Sequence, residues 1–227
     1  MAITTEELVQ HIKNSRQNNA AAKQALASCV LLLLFGLMSG APSGWAADAQ
    51  KLTSGIYEGL MLAVAQDGSV SGFYRESQGE KPSKTCTFFL QGKGAAEPIA
   101  INSWNSQIFP GQIKAVGVNV NLKIGQAREH PGCGLVLMPE IASGITLERT
   151  TATRWCSLKM VQSSRAALFS APSAEKKTRA YFVKNDVLGV LAHDGEWLQV
   201  EFPRDGKASI KGWLKASDTQ DLLPPKK

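Results

Sequence analysis

Histidine is scarce in this chain: its 227 residues contain three, and only His130 and His193 lie beyond residue 50. A zinc site needs four tetrahedral ligands at short spacings, which two separated histidines and three distant cysteines do not supply. The closest Cys–His approach, His130-Pro131-Gly132-Cys133, lacks the flanking signature of a cell-wall cysteine peptidase. We therefore predict no metal, no cofactor and no catalytic residue, and we interpret Cys133 as a half-cystine in a turn.

Other signatures of catalysis are also missing. A glycosidase needs two carboxylates placed across the sugar, but no spacing singles out a pair among Glu76, Glu80, Glu140 and Glu148. The glycines at 92 and 94 lead into Ala-Ala-Glu-Pro instead of a capped helix, so they do not form a phosphate-binding loop. The net charge of +6 is spread thinly, without the basic stripe of a nucleic-acid-binding protein. We predict a protein that is not an enzyme and does not bind nucleic acid.

A long apolar run occurs once, over residues 25–38, after a polar segment that carries Lys13, Arg16 and Lys23. Small residues and a turn follow it. This order is typical of a secretory signal, and the apolar run is short for a membrane span. We predict a signal peptide over residues 1–46, with cleavage after Ala46 or Ala49, and a periplasmic or secreted protein with no membrane span after cleavage. An uncleaved membrane anchor is the alternative.

Removal of the signal would leave three cysteines, Cys86, Cys133 and Cys156, so that one internal bridge can form and one thiol remains. Cys86 lies at the start of a predicted strand and Cys133 in a turn, whereas Cys156 lies on the apolar face of another predicted strand. We predict a Cys86–Cys133 disulfide and a buried Cys156. A disulfide agrees with an exported protein, because disulfides persist in oxidising compartments.

Residues 52–161 contain short β-rich segments separated by glycine or proline, and none shows a sustained helical period. Segments 60–64 and 70–74 flank Gln66-Asp67-Gly68-Ser69, which predicts a hairpin. Further strands are predicted at residues 85–90, 99–104, 112–116, 118–122, 135–137, 145–147 and 155–161. This spacing predicts a small antiparallel β sandwich or barrel domain, with its last strand leading directly into the C-terminal domain.

Residues 165–222 show the alternation of apolar and polar residues that antiparallel strands require, with tight Asp-Gly turns at 194–195 and 205–206. The alternation places Tyr181 and Val183 on one face of a strand. We predict a small β-barrel whose interior is filled by Val183, Leu191, Leu198 and Val200, so that a ligand reaches only its rim. The fold class predicted for the whole chain after its signal is all-β.

Four pieces of this segment occur in a characteristic order. They are an aromatic-x-x-Pro at 169–172, Tyr-Phe-Val-Lys-Asn-Asp at 181–186, Asp-Gly-Glu-Trp-Leu-Gln-Val at 194–200, and Gly-Trp-Leu at 212–214 with Asp218 behind it. Together they resemble the bacterial Src-homology-3-like (SH3-like) domains, which are binding modules of many envelope proteins. The family usually has glycine where this chain has Asn185, a residue that tolerates left-handed backbone geometry almost as well. The resemblance implies an SH3-like β-barrel over residues 165–222.

The resemblance also implies where a ligand would bind. Trp197 and Trp213 occupy the two tryptophan positions of the family, whose role is mainly structural, and the rim of the barrel is the usual place for a ligand groove. We predict that Tyr181, Glu196 and Trp213 form this rim, because the two rings offer planar area and the carboxylate offers a polar contact. Trp104 and Trp155 are expected in the core.

Two functions fit these features. The first is an exported, non-enzymatic envelope protein whose SH3-like barrel recognises peptidoglycan or a periplasmic protein, for example as an inhibitor or immunity partner of a wall-active enzyme. The alternative is an enzyme that acts on the cell wall and uses the barrel as its targeting domain. The shortage of catalytic residues favours the first.

Overall fold

The computed structural model describes residues 51–79 and 84–225, and the predicted signal peptide over residues 1–46 lies outside them. The described residues form sixteen strands in two antiparallel sheets, joined by turns and short 3₁₀ helices, without an α-helix. The all-β prediction is therefore confirmed. No helix in the described ranges is long and apolar enough to cross a membrane.

The first sheet contains nine strands and is nearly closed into a barrel. Strands β1 to β8 form an antiparallel meander, and β9 pairs with the free side of β1. Only Glu148 separates β8, at one end of the sheet, from β9 at the other, so the two ends must lie side by side. The strands are β1 (Gly55–Tyr57), β2 (Leu60–Val64), β3 (Ser69–Gln78), β4 (Lys84–Lys93), β5 (Ile99–Trp104), β6 (Ile108–Val116), β7 (Asn119–Ile124), β8 (Ile145–Leu147) and β9 (Arg149–Ala152).

Successive residues of β3 and β4 point to opposite faces of this barrel, and both faces are apolar. Tyr74 and Phe88 stack at 4.8 Å between ring centroids and belong to the interior cluster. Phe73 and Phe89 stack at 5.2 Å on the outside, where they pack in a cluster shared with the second sheet. The interior is filled by buried side chains that include Tyr57, Leu60, Leu62, Leu90, Ile101, Ile113, Leu122, Ile124 and Leu147.

The predicted hairpin of the first domain is confirmed, since β2 pairs with β3 through the turn at residues 65–68. β5 and β8 have the predicted bounds. The strand predicted at 135–137 is wrong: Leu135 ends a 3₁₀ helix, and Val136 and Leu137 lie in the turn that follows it. The 3₁₀ helices of this region are Ala127–Glu129, Cys133–Leu135 and Pro139–Ala142. Gly132 turns the chain with a left-handed φ of 82°, and Val136 and Leu137 then bury their side chains in the barrel cluster.

We call residues 127–142 the cap, since they pack against β4 and β7 and add buried side chains to the barrel cluster. A disulfide joins Cys133 of the cap to Cys86 of β4, with an S–S distance of 1.99 Å. The predicted bridge is therefore confirmed. Cys156 is free and half-buried, and its sulfur lies 3.4 Å from the carbonyl oxygen of Val190.

The second sheet contains seven strands and curves into a half-barrel. Its order is β12-β11-β15-β14-β13-β10-β16. The predicted turns at 194–195 and 205–206 connect β13 to β14 and β14 to β15, and Asn185 adopts the left-handed backbone geometry, with φ of 75°. The strands are β10 (Ser157–Val161), β11 (Arg165–Phe169), β12 (Lys177–Val183), β13 (Val187–Asp194), β14 (Trp197–Arg204), β15 (Lys207–Lys215) and β16 (Thr219–Asp221). Further 3₁₀ helices are Ala174–Lys176 and Ala216–Asp218.

The strand predicted at 155–161 does not close the first domain. Its observed counterpart, β10, pairs with β13 and β16 of the second sheet. The reason lies in the first sheet, where β9 already occupies the free side of β1. The second sheet consequently begins at Ser157, ahead of the predicted start at Arg165.

The prediction for the interior of the second sheet is half right. Leu198 and Val200 are buried there, but Val183 is 47% exposed because its neighbour Phe182 faces the interior. A shift of one residue moves a strand's side chains to the other face. Leu191 is the extra residue of a bulge between Val190 and Ala192, and it packs between the sheets. The interior cluster is Val161, Ala166, Leu168, Phe182, Leu188, Val190, Leu198, Val200 and Leu214.

The two sheets meet around Trp155, which is 1% exposed. Its ring lies over Gly189, where an added Cβ would come within 2.3 Å of the indole. Its Nε1 donates to Glu201 at 2.9 Å, and its carbonyl oxygen accepts from the Ser54 hydroxyl at 2.6 Å. Trp155 thus contacts residues on both sides of the junction between the sheets. Trp104, at 3% exposure, belongs to the same cluster, so both tryptophans are core residues, as predicted.

We expect Gly189→Ala to lower the free energy of unfolding by about 3 kcal/mol, because the new methyl group displaces the Trp155 ring from a packed core. Denaturant unfolding measures this change. The matched control is Gly125→Ala, where an added Cβ meets nothing within 4 Å, and its effect should stay within about 0.5 kcal/mol. Equal stabilities of the two variants would contradict the position of Trp155.

Replacing both Cys86 and Cys133 with serine should lower the free energy of unfolding by about 4 kcal/mol. The bridge spans 47 residues, and closing a loop of this length restricts the unfolded chain by about that amount in the chain-entropy model. Denaturant unfolding of the variant and of the oxidised protein gives the difference. Cys156→Ala, which breaks no bridge, is the control and should be much less destabilised.

Candidate functional site

The side of the second sheet that faces away from its core carries several aromatic side chains. Residues opposite each other in antiparallel strands share a face, so Trp213 lies with Phe169 and Gln199, and Trp197 lies with Lys215. Their neighbours along the strands, such as Leu198 and Leu214, fill the core. We call this side of the sheet the aromatic face and define it as Phe169, Tyr181, Trp197 and Trp213 together with the cations Arg165 and Lys215. Phe169 and Trp197 are buried, at 6% and 8% exposure, so Tyr181 and Trp213 are the rings that solvent reaches.

Tyr181 and Trp213, two of the predicted site residues, belong to this face. Tyr181 on β12 is 46% exposed, and the guanidinium carbon of Arg165 lies 3.8 Å from the centroid of its ring. Trp213 on β15 is half-buried. A cation over an aromatic ring is attracted by the ring's electron-rich face, so Arg165 holds Tyr181 in a fixed orientation.

Glu196, the third predicted site residue, lies in the exposed turn between β13 and β14. Its backbone carbonyl accepts a hydrogen bond from the Ala216 amide at 2.8 Å, which fixes the turn against the end of β15. No hydrogen bond, ion pair or ring contact joins the side chains of Tyr181, Glu196 and Trp213, all of which the structure describes. The structure therefore places two of them on one face and the third at the end of the sheet.

Sequence reasoning missed the two cations of this face. The Lys215 amino group lies 5.7 Å from the centroid of the Trp197 ring, and Trp197 in turn makes an edge-to-face contact with Phe169 at 4.8 Å. Neither cation is close in sequence to the ring it contacts. The signal that could have found them is strand register, because Lys215 is directly opposite Trp197.

A groove of about 750 Å³ between the sheets is a second candidate site. Phe73 and Phe202 line it, and Arg75, Arg204 and Asp205 lie at its margin. The Arg204 guanidinium already donates two hydrogen bonds to the carbonyl oxygen of Ala208, at 2.9 and 2.6 Å. The mixture of charge signs selects no class of ligand. In residues 51–79 and 84–225 no group of three or more His, Cys, Asp or Glu side chains could hold a metal ion.

His130 belongs to the cap, and its side chain is 1% exposed. Its ring stacks on Phe88 at 5.1 Å and contacts Phe109 at 4.8 Å. Its Nε2 lies 3.0 Å from the Ser103 hydroxyl, which donates to the carbonyl oxygen of Phe109 at 3.2 Å. This network assigns the proton to Nε2, and Nδ1 lacks a hydrogen-bond partner among the described residues.

Burial lowers the pKa of His130 to about 4, and the nearby charge of Glu129 opposes this effect. The neutral ring is therefore the stable form inside the barrel, because a buried imidazolium would lose its hydration without gaining an acceptor at Nδ1. Since Cys133 is in the disulfide, His130 and Cys133 do not form a nucleophilic pair.

We expect the free energy of unfolding to decrease as the pH is lowered, because of His130. Its pKa is about 4 in the folded chain, against an ordinary value of 6.5, so the unfolded chain takes up the proton first as the pH falls. The contribution is complete above pH 6.5, and about 3 kcal/mol of it is lost between pH 6.5 and pH 4. Denaturant unfolding of the protein at pH 7, 5.5 and 4 measures the loss.

The variant that tests this assignment is His130→Gln, which should flatten the pH dependence between 6.5 and 4. His193→Gln is the matched control, since His193 is exposed near the end of β13, and it should retain the pH dependence. Retention of the full slope in His130→Gln would show that another group causes it.

No family model, curated protein or solved structure matches the chain. The aromatic face, the cap and the groove are consequently the features from which a function is argued.

Proposed function

We propose that the chain is an exported, non-enzymatic binding protein of the cell envelope whose second sheet recognises peptidoglycan or a periplasmic protein. The observation that carries this proposal is the aromatic face, where Tyr181 and Trp213 are open to solvent in part and Arg165 and Lys215 stand beside aromatic rings. Aromatic side chains supply a large contact area at a small entropy cost. The cations add attraction for carboxylates or phosphates of a ligand.

The positions of the candidate nucleophile and bases support binding over catalysis. A general base must come within hydrogen-bond distance of its substrate, but the side chain of His130 is buried and contacts Ser103. Cys133 is in the disulfide. His193 is exposed near the end of β13, and the hydrogen bonds and ring contacts of the described residues bring no nucleophile to it. The alternative, an enzyme that acts on the cell wall, has no comparable support.

Two further features support the envelope proposal. The Cys86–Cys133 disulfide is typical of oxidising compartments, such as the periplasm. In the second sheet, the Asp-Gly turns and the left-handed Asn185, which belong to the sequence pieces that resemble SH3-like domains, are at the predicted positions.

The cap supplies a second surface that suits an inhibitor or immunity protein. Leu135 is 73% exposed and Met138 is 59% exposed, while the disulfide anchors the segment that carries them. A rigid segment with protruding apolar side chains loses little entropy when a partner covers it. This surface would leave the aromatic face free for its own ligand.

Co-sedimentation with purified peptidoglycan, run beside a wall-hydrolysis assay, tests the proposed function. We expect the protein to sediment with the polymer, or to bind a periplasmic protein, without releasing soluble fragments. Hydrolysis that remains with the protein through repurification would support the alternative function instead.

Trp213→Ala should weaken association with peptidoglycan, or with the protein partner, by about 2 kcal/mol or more, as removal of an interface anchor does. Because Trp213 is half-buried on the outer face, the loss of stability should stay below the roughly 3–5 kcal/mol typical of buried aromatic deletions. Sedimentation and melting of the same variant give the two values. Val118→Ala, an exposed apolar residue of the first sheet, is the control, and unchanged binding by Trp213→Ala would exclude the tryptophan from the site.

A further inference from the structure

Strand β12 is the outermost strand at one end of the second sheet and pairs only with β11. It is seven residues long, and five of these residues are exposed. An open strand edge presents backbone donors and acceptors to any chain that can pair with it. Natural proteins shorten or cover such edges, or protect them with bulges and charged side chains. A bulge between Tyr181 and Lys177 and the cations Lys177 and Arg179 protect one part of β12, so residues 181–183 are the regular part of the open edge.

The hydrogen bonds of β12 show which backbone groups face the open edge. Both backbone polar groups of Val183 are engaged by Asp186: the Val183 amide donates to the carboxylate at 2.8 Å, and the Asp186 amide donates to the Val183 carbonyl at 3.1 Å. Val183 and Arg165 are therefore a non-hydrogen-bonded pair of the antiparallel ladder.

Bonded and non-bonded pairs alternate in an antiparallel ladder. Phe182 consequently bonds with Ala166 on β11, and the amide and carbonyl of Tyr181 point to the open edge. The alternation ends there, because a bulge lies between Tyr181 and Lys177, where the Thr178 hydroxyl donates to the Leu168 carbonyl at 2.8 Å and accepts from the Ala180 amide at 3.1 Å. The main-chain groups of Tyr181 are thus available to an incoming strand beside the half-exposed side chains of Tyr181 and Val183, at 46% and 47% exposure.

Four cations lie along or beside this edge, together with the Asp186 carboxylate that accepts from the Val183 amide. Lys177, Arg179 and Lys184 are exposed, as is Arg165 on the adjacent strand. None of the four takes part in an ion pair in the part of the chain that the structure describes, where the pairs are Lys93–Asp67, Lys159–Asp221 and Lys211–Glu201. An approaching strand with carboxylates would neutralise this charge.

A second copy of the chain does not suit the edge. Two β12 strands paired antiparallel would place Lys177 and Arg179 of one strand beside a strand that carries the same cations, and like charges on adjacent strands destabilise a sheet wherever the register brings them opposite each other. The charge pattern favours a partner of the opposite sign.

We propose that β12 accepts an extended acidic segment of a partner protein as an additional strand of the second sheet. The segment hydrogen-bonds the main chain of Tyr181, places carboxylates beside Arg179 and its neighbouring lysines, and packs apolar side chains on Tyr181 and Val183. This inference rests on the proposed function, in which the second sheet is the binding surface. Of the two proposed ligands, peptidoglycan and a periplasmic protein, it favours the protein.

A synthetic peptide tests the inference on the full chain. The probe has blocked ends and eight residues, with Glu alternating with Val or Thr, and its affinity is measured by calorimetric titration. We expect saturable binding that weakens with salt. A peptide of the same sequence with N-methyl groups on the amides of one edge should bind about tenfold more weakly, because it loses main-chain hydrogen bonds but keeps its charge. Equal affinity of the two peptides, or no binding of either, would overturn the inference.

A matched pair of variants tests the edge from the protein side. Tyr181→Ala and Tyr181→Pro both remove the ring, but only proline removes the outward amide, and an edge strand tolerates proline at such a position. We expect the proline variant to bind the Glu peptide about tenfold more weakly than the alanine variant. Equal affinities of two folded variants would contradict strand addition. If melting shows that the proline variant is unfolded, the N-methylated peptide decides the question.

Reversing the charge of the β12 cations, and of the peptide with them, tests whether opposite charge is required for binding. The double variant Lys177→Glu/Arg179→Glu should bind the Glu peptide at least about tenfold more weakly and should gain affinity for the matching Lys peptide. Inorganic polyphosphate, a polyanion without amides, should compete poorly. Competition as strong as that of the Glu peptide would mean that charge alone is recognised, which overturns strand addition.

The peptide titrations and the peptidoglycan sedimentation separate the two proposals. Sedimentation that depends on Trp213, without peptide binding, would overturn strand addition and leave the proposed function intact. The absence of every interaction, with peptide, peptidoglycan and periplasmic proteins, would overturn both.

Discussion

The contacts of Trp155 determine how the two sheets are joined. Its indole Nε1 donates to Glu201 at 2.9 Å, and Lys211 approaches the other oxygen of that carboxylate at 3.2 Å. Glu201 is only 8% exposed, and a buried carboxylate is tolerated only when it is paired and hydrogen-bonded. The ring can lie in this place because residue 189 has no side chain. The strand that follows Trp155, β10, therefore pairs within the second sheet. It also contacts the first sheet, because the Leu158 amide donates to the Ser71 hydroxyl at 3.0 Å.

The closure of the first sheet has a consequence for the location of binding. Because β8 and β9 are separated by one residue, the strand that they form contacts β7 and β1 and leaves the barrel interior enclosed. Large side chains such as Phe88, Leu90 and Ile113 fill that interior, so it resembles the packed barrels more than those that hold a ligand. The outer side of β2 to β4 is covered by the second sheet through Met61, Phe73 and Phe89. What remains for recognition is the cap, the aromatic face and the edge of β12.

These surfaces differ in rigidity and in chemistry. The cap is held by a covalent bond and presents apolar side chains, whereas the edge of β12 presents backbone groups and uncompensated cations. The aromatic face adjoins that edge through Tyr181, whose ring is oriented by Arg165. A ligand that pairs with β12 therefore also meets the aromatic face, while a partner at the cap does not. The cap and the edge of β12 therefore suit different kinds of contact.

The features that the sequence by itself determined are local or compositional. The Asp-Gly turns, the left-handed Asn185, the short strands and the burial of Trp104 and Trp155 follow from the preferences of neighbouring residues, and the disulfide follows from three cysteines in distinguishable surroundings. Only the tertiary structure decided which sheet receives β10, since β9 had to occupy the edge of β1 first. It also decided that Phe182 faces the core and Val183 the solvent, because alternation predicts that two faces exist but not which one is buried. The cations beside Tyr181 and Trp197 were beyond sequence reasoning for the same reason: strand register, a long-range property of the backbone, brings them to those rings.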